Sequence, residues 1–329
     1  MSVPKYFELE GGDRMPRIGF GTWQAPGDVL EKAVEAALEA GYRHFDSARA
    51  YENEDALGRA LNRWIGGDPA KRKELFVVTK LPPPGNKAEL VEEYFEASLR
   101  DLALDYIDLY LIHVPFGFEH VPGDLHPTNP DGSMKVDYST DLVAVWKEML
   151  KIKESGRARH VGVSNMSEEQ LNRLSAIGKP ECLQVEVHVL FQQKELIAAA
   201  NRLGIPIVAY SPLGSKGLVN MLATKTGRDY PSLLELPTVV NIAKAHSRTP
   251  AQVLLRFLLQ HGVACIPKST DPTRIKQNIS LWDFELSKNE MQELSALDRG
   301  VDGRICDFSF FKGVETHPEF HFKNSNKTK

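Results

Sequence analysis

The chain has 329 residues, 42% hydrophobic and 26% charged, which is enough apolar sequence for a large buried core. A formal net charge of -4 and a sequence pI of about 6.2 exclude the basic field that nucleic acid or an anionic membrane surface requires, and no apolar window approaches membrane-spanning length. Cys182, Cys265 and Cys306 are widely spaced and form no C-x-x-C pair, so neither a disulfide framework nor a zinc knuckle is indicated and a reducing, cytoplasmic setting is expected.

In chain order, the stretch from Tyr6 to Glu10, a Gly11-Gly12-Asp13 turn and the stretch from Met15 to Ile18 predict a small hairpin, because Gly and Asp tolerate the positive φ of tight turns. From Gly19 onward, short β-branched runs alternate with amphipathic ones. The first pair is Gly19 to Trp23, then Leu30, Ala33, Val34, Ala37 and Leu38 at helical spacing. A strand from His44 to Ala48 leads through a loop holding Tyr51 to a helix near Asn53 to Arg63, with Asn53 as N-cap and Glu54 and Asp55 as an acidic first turn. Strands from Leu75 to Leu81 and from Ile107 to His113 enclose a helix near Glu89 to Leu104, whose buried face carries Val91, Phe95, Leu99 and Leu102. A polar insertion rich in Gly and Pro, from Val114 to Tyr138, then follows and is expected to overhang a site. Further strands run from His160 to Asn165, Leu183 to Val187, Pro206 to Pro212 and Ala264 to Ser269. Helices lie near Glu168 to Ile177, Gln193 to Leu203, Pro237 to Leu259 (broken near Pro250) and Pro272 to Leu281. A helix near Lys288 to Leu297 and a tail carrying Phe308, Phe310, Phe311, Phe320 and Phe322 close the chain.

Eight consecutive βα units predict an α/β fold of the (β/α)8 TIM-barrel type, a single domain over residues 1–329 with an N-terminal β-hairpin and extended loops at its C-terminal face. A doubly wound sheet would carry a Gly-rich phosphate fingerprint at its first βα turn, and Gly19-Phe20-Gly21-Thr22-Trp23-Gln24 does not match G-x-G-x-x-G.

In a barrel the carboxyl ends of the strands meet in one pocket, which brings Asp46, Tyr51, Lys80 and His113 together. A phenol with a pKa of about 10 is a poor acid at neutrality, but a neighbouring ammonium favours the phenolate and lowers that value. Lys80 can be that neighbour, Asp46 can fix Lys80, and His113 can share the phenol's hydrogen bond or orient a substrate oxygen. A tuned phenol without a metal or an activated nucleophile suits proton donation to a carbonyl oxygen while hydride reaches carbon. The remaining strand ends suit a cofactor. Ser164, Asn165 and Gln184 offer hydroxyl and amide groups for a carboxamide, and Tyr210 offers a ring for stacking. Ser211 to Ser215, with Leu213 and Gly214, offers a loop for phosphates, and Lys268 to Asn278 couples a strand end to a helix N-terminus with flanking cations.

Asp46-x-x-x-x-Tyr51, Lys80, His113, Gly162-Val163-Ser164-Asn165 and Ile266-Pro267-Lys268-Ser269 occur in the order and at the intervals of the aldo-keto reductase superfamily. From about Gly19 through the tail the chain resembles its aldose-reductase-like branch. The resemblance implies carbonyl reduction with NADPH (NADP+) bound extended, without a Rossmann domain. It implies Tyr51 as general acid, Asp46 and Lys80 as its tuning pair and His113 as orienter. Cofactor contacts are implied for Gly21, Thr22, Trp23, Asp46, Ser164, Asn165, Gln184, Tyr210, Ser211, Leu213, Ser215, Lys268, Ser269, Thr270, Arg274, Gln277 and Asn278, and substrate contacts for Trp23, His113 and Val114. No metal is implied, and the expected partner is a small carbonyl compound met by a monomer.

Three positions depart from the family pattern. Val114 stands where Trp is common, Val189 ends a Glu186-Val187-His188 run that often ends in Pro, and Gln24 stands where the aldose reductases have a lysine that clasps the cofactor. Exchange of indole for isopropyl predicts a pocket that is wider and less polar on that side, suited to bulky apolar carbonyls, with the Val114 to Tyr138 loop and the tail near Phe308 to Phe311 lining the approach; the alternative is that the tail refills the space. Two other readings compete. His44, Asp46, His113, His160 and His188 lie at or near strands, as in metal-dependent hydrolases on this barrel, although strand two lacks the His-x-His pair of such enzymes. A redox sensor that binds NADPH without turnover is the other, against which the intact Asp46, Tyr51, Lys80 and His113 weigh.

Overall fold

Side chains alternate between two environments along each strand, and this period of two decides which residues meet. The computed structural model of the protein describes residues 3–226 and 230–322. Strands β1 (Tyr6–Glu8) and β2 (Arg14–Pro16) pair antiparallel, as the turn signal predicts. Strands β3 (Phe20–Gly21), β4 (His44–Asp46), β5 (Phe76–Leu81) and β6 (Ile107–Ile112) follow, then a small pair within the insertion, β7 (Gly117–Phe118) and β8 (Val136–Asp137). Strands β9 (Ala158–Ser164), β10 (Leu183–Glu186), β11 (Ile207–Tyr210) and β12 (Ala264–Cys265) complete an eight-stranded parallel sheet in the order β3-β4-β5-β6-β9-β10-β11-β12. A bridge from Ile18 to Cys265, with Gly19 N donating to Cys265 O at 2.9 Å and Cys265 N donating to Arg17 O at 2.8 Å, joins the two edges. The chain is therefore a (β/α)8 barrel.

Helices α1 (Gly27–Ala40), α2 (Glu54–Ile65), α3 (Pro69–Glu74), α4 (Val91–Leu102), α5 (Leu142–Glu154), α6 (Glu168–Ser175), α7 (Lys194–Arg202), α8 (Lys216–Thr226), α9 (Pro237–Ala245), α10 (Pro250–Gln260), α11 (Pro272–Ile279) and α12 (Lys288–Ser295) surround or cap it. The expected break near Pro250 is real. Thr249 caps α10 by accepting from Gln252 N while the Gln252 side chain accepts from Thr249 N, and Pro250 occupies the first turn, where no N–H is needed. Three helices go beyond the sequence reading. Of these α5 has a readable signal, an Asp141 cap and buried Leu142, Val145, Trp146, Met149 and Ile152 at helical spacing, which the long polar insertion before it obscures. Asn53 corrects an expectation: its side chain makes no cap on α2 but donates to Thr22 O (3.0 Å) and Ala25 O (3.1 Å), tying the loop after β3 to the loop before α2.

The barrel interior holds Phe76, Val78, Leu109, Leu111, Val208 and Ala264, with Leu9 and Met15 of the hairpin packed into the same cluster. Val77, Leu81, Tyr110, Val161, Val163, Leu183 and Val185 belong instead to the layer between sheet and helices. Continuing this alternation turns Asp46, Lys80, Ser164, Gln184, Glu186 and Tyr210 inward at the carboxyl ends. Above them the insertion and the tail are tied together. Met134 N donates to Lys312 O, Lys312 Nζ to Asp131 O, and His317 Nε2 lies 2.9 Å from Asp137 O.

Candidate active site

A fully buried lysine lies at the centre. Lys80 Nζ donates to Asp46 Oδ1 at 2.6 Å, to Ser47 O at 2.7 Å and to Tyr51 Oη at 3.3 Å, with Lys80 and Asp46 0% and 1% exposed. Burial opposes the ammonium, but Asp46 and then Tyr51 hold it above the usual lysine value, so it remains charged. The other Asp46 oxygen accepts from Gln184 Nε2 at 2.6 Å, which leaves the Gln184 amide oxygen to face elsewhere.

Tyr51 ends the short helical turn Arg49–Tyr51, and the next residue, Glu52, has φ 55. The turn is pinned from below. Arg49 pairs with Asp101 and lies 3.4 Å from Glu54 Oε2, and Glu54 accepts from Thr79 Oγ1 (2.5 Å) and Ser98 Oγ (3.0 Å). Glu54 is the first-turn acid of α2 that the sequence indicates, and it is 2% exposed and links the turn to β5 and α4. The Tyr51 phenol departs from the sequence expectation in sign. Lys80 pulls its pKa down as foreseen, but burial is the larger effect and holds the phenol above its ordinary value. The His113 ring lies 5.6 Å from the Tyr51 ring at 76°. Burial first, then Lys80 and His126, keep His113 well below the histidine range, so the imidazole is neutral, and its Nδ1 is buried without a hydrogen-bond partner among the described residues.

The expected carboxamide residues form one network with this group. Ser164 Oγ donates to Gln184 O (2.8 Å), Asn165 Nδ2 to Ser164 Oγ (3.1 Å) and His113 O (2.9 Å), and Tyr210 Oη to Asn165 Oδ1 (2.8 Å). Thr22 Oγ1 donates to Asp46 O at 3.0 Å, and no side chain fits at Gly21, where a Cβ would meet Ile266 O at 2.8 Å. Trp23, half-buried, packs against an apolar cluster that includes Val114, Phe116, Phe308 and Phe322. Ser211 (φ 50), Gly214 (φ 86) and Ser215 (φ 40) give the loop after β11, with Leu213 between them, its left-handed turns. At α11, Asp271 caps the helix by accepting from Arg274 N, Ser269 is buried and Thr270 half-buried, and Gln277 and Asn278 lie in the same helix. Burial and then Arg274 push the Lys268 ammonium below its usual value. Lys268 Nζ reaches Gln24 O at 3.3 Å, and Gln24 Oε1 abuts Gly217 of α8, where a Cβ would meet it at 2.0 Å.

The histidines of the hydrolase reading are dispersed. His44 Nδ1 contacts Pro16 O at 2.8 Å, His160 lies against Asp13 and Glu181, and His188 lies against Glu186. Val114 is 2% exposed and shares its apolar cluster with Trp23, Phe116, Phe308 and Phe322, which favours the second of the two expectations for this position, a tail that packs into the space beside it. Sequence reasoning missed Glu186 and Cys306. Glu186 shares the inward parity of Gln184, which was the available signal, whereas Cys306 reaches Tyr210 and Asn165 only through the course of the tail.

The Aldo/keto reductase family model matches residues 17–299. Aldo-keto reductase family 1 member A1 of Gallus gallus is 41% identical over 298 residues, with 89% of each chain covered, and that of Homo sapiens is 40% identical over 294 residues, with 88% of each covered. The solved structure of the aldose reductase from Schistosoma japonicum is similar at a TM-score of 0.87 and 35% identity, covering 98% of this chain and 100% of that one.

Proposed function

The chain belongs to the aldo/keto reductase family, in its aldose-reductase-like branch, and from that premise we propose that it reduces an aldehyde or ketone to the alcohol with NADPH, Tyr51 delivering the proton. The observation that carries this reading is the buried row Gln184, Asp46 and Lys80, ending on the half-buried Tyr51 beside a neutral His113. When bound, the dihydronicotinamide supplies hydride to the carbonyl carbon. The protein's own groups supply the rest. His113, uncharged, orients the carbonyl oxygen against Tyr51 Oη, and the phenol donates its proton as negative charge grows there. Lys80, locked by Asp46 and Ser47 O, stabilises the phenolate that remains. Ser164, Asn165 and Gln184 would hold the carboxamide and Tyr210 would stack on the ring. The 211–215 loop and the 268–278 segment would take the phosphates.

The test is Tyr51→Phe, which keeps the ring's packing and removes the proton. NADPH affinity by fluorescence titration should stay nearly constant while kcat for a saturating aldehyde falls about a hundred- to ten-thousand-fold. A variant that keeps more than about a third of wild-type kcat removes Tyr51 from this role.

A further inference from the structure

Glu186 lies on the inward parity of β10 and takes no part in the proposed reaction. It is 2% exposed, and its carboxylate is filled by donors: Ile305 N–H to Oε1 and Cys306 N–H to Oε2, both at 2.8 Å, with His188 Nε2 also 2.8 Å from Oε1. The two backbone donors stand 119 and 120 residues further along the chain. Successive N–H groups on the two oxygens of one buried carboxylate are short, charge-assisted bonds with a single geometry. Packing reinforces them. Gly303 lies so close to the loop after β10 that a Cβ would meet Leu190 O at 1.9 Å, and Arg299 N donates to the same oxygen at 2.9 Å.

Just past this anchor the chain enters the candidate site. Cys306 lines a small cavity with Asn165 and Tyr210 and lies within electrostatic reach of Tyr51. Phe308 has φ 58, a conformation that a phenylalanine holds only where its surroundings over-determine it, and its ring lies 5.4 Å from Phe116 and 4.7 Å from Phe322.

We propose that Glu186, oriented by His188, is a positioning residue that sets substrate specificity: by clamping residues 305 and 306 it fixes where Cys306 and Phe308 wall the carbonyl pocket, and so how large a carbonyl compound is accepted. The proposal rests on the reductase reading of the site. Glu186→Gln keeps the shape but leaves one acceptor oxygen and turns an NH2 group toward a backbone N–H. The KM for a bulky aromatic ketone should rise about ten-fold, while kcat for propanal and NADPH affinity change by less than about two-fold. His188→Asn withdraws the third donor together with the buried ring that carries it, leaves both backbone donors in place, and gives the same split at smaller size, which serves if the first variant does not fold. Equal effects on both substrates, or none on either, overturn the proposal. Amide hydrogen exchange of the wild type reads the clamp without turnover: residues 305 and 306 should be strongly protected, and free exchange there also overturns it. If the wild type reduces no carbonyl while those amides are protected, the reductase reading fails and takes the specificity role with it, and the clamp alone stands.

Discussion

Two opposing influences meet at the Tyr51 phenol: desolvation keeps its proton on, and Lys80 at 3.3 Å counters it. The sign of the balance was not legible in the sequence, since the residue types give the neighbour but not the burial. Two further residues carry predictions. Arg274 crowds Lys268 where a 2′-phosphate would sit, so Arg274→Met should weaken NADPH far more than NADH, by about 1.5–3 kcal/mol for a lost charge-assisted contact. Equal losses for both cofactors in a fluorescence titration count against a phosphate at that position. Val114 is packed among rings, so Val114→Trp must displace part of the tail cluster and should cost about 1–3 kcal/mol of stability. The added indole N–H should at the same time raise kcat/KM for a carboxylated aldehyde relative to a bulky ketone. An unchanged ratio means that residue 114 does not set preference.

The N-terminal hairpin is the element whose attachment depends on ionisation. Asp13 in its turn lies 3.1 Å from His160 Nε2, and Glu181 lies 2.6 Å from His160 Nδ1, with Lys153 bridging Glu181 (2.9 Å) and Glu10 (2.7 Å) and Arg159 3.8 Å from Asp13. Burial opposes the imidazolium, yet these carboxylates raise the His160 pKa above its ordinary value, and burial likewise opposes a Glu181 that His160 and Lys153 hold below its own. The His160 contribution to stability is thus fully present below the unfolded histidine value of about 6.5 and lost as pH rises through the folded one, while that of Glu181 is lost as pH falls through its depressed value. His160→Gln should lower Tm by about 2 °C near pH 6 and by less near pH 8. A deficit that does not shrink between those pH values shows that His160 is neutral in the fold. The hairpin itself was readable from Gly11-Gly12-Asp13, because positive φ is a local property: Gly11 and Gly12 adopt φ 78 and 87. α8 was not, since the order of Leu218 and Leu222 depends on the distant rings they meet.

Across the whole molecule, the inward-facing strand ends were legible because a period of two and a barrel together determine where Asp46, Lys80, His113, Ser164 and Gln184 point. The Gln184 contact with Asp46 and the Glu186 clamp were not, since each joins residues more than a hundred positions apart with no periodicity to announce them. That distance has a counterpart in synthesis. The seam between Arg17 to Gly19 and Cys265 is the one closure the ring requires, and its paired residues Ile18 and Cys265 stand 247 positions apart, so one side leaves the ribosome long before the other. Until Cys265 emerges, the nascent barrel is an open sheet whose first strand presents unpaired N–H and C=O groups to any other chain, the condition that invites edge-to-edge association. Cellular yield should therefore be most sensitive to changes that slow the arrival of the stretch carrying Cys265, even where they leave the finished enzyme's stability untouched.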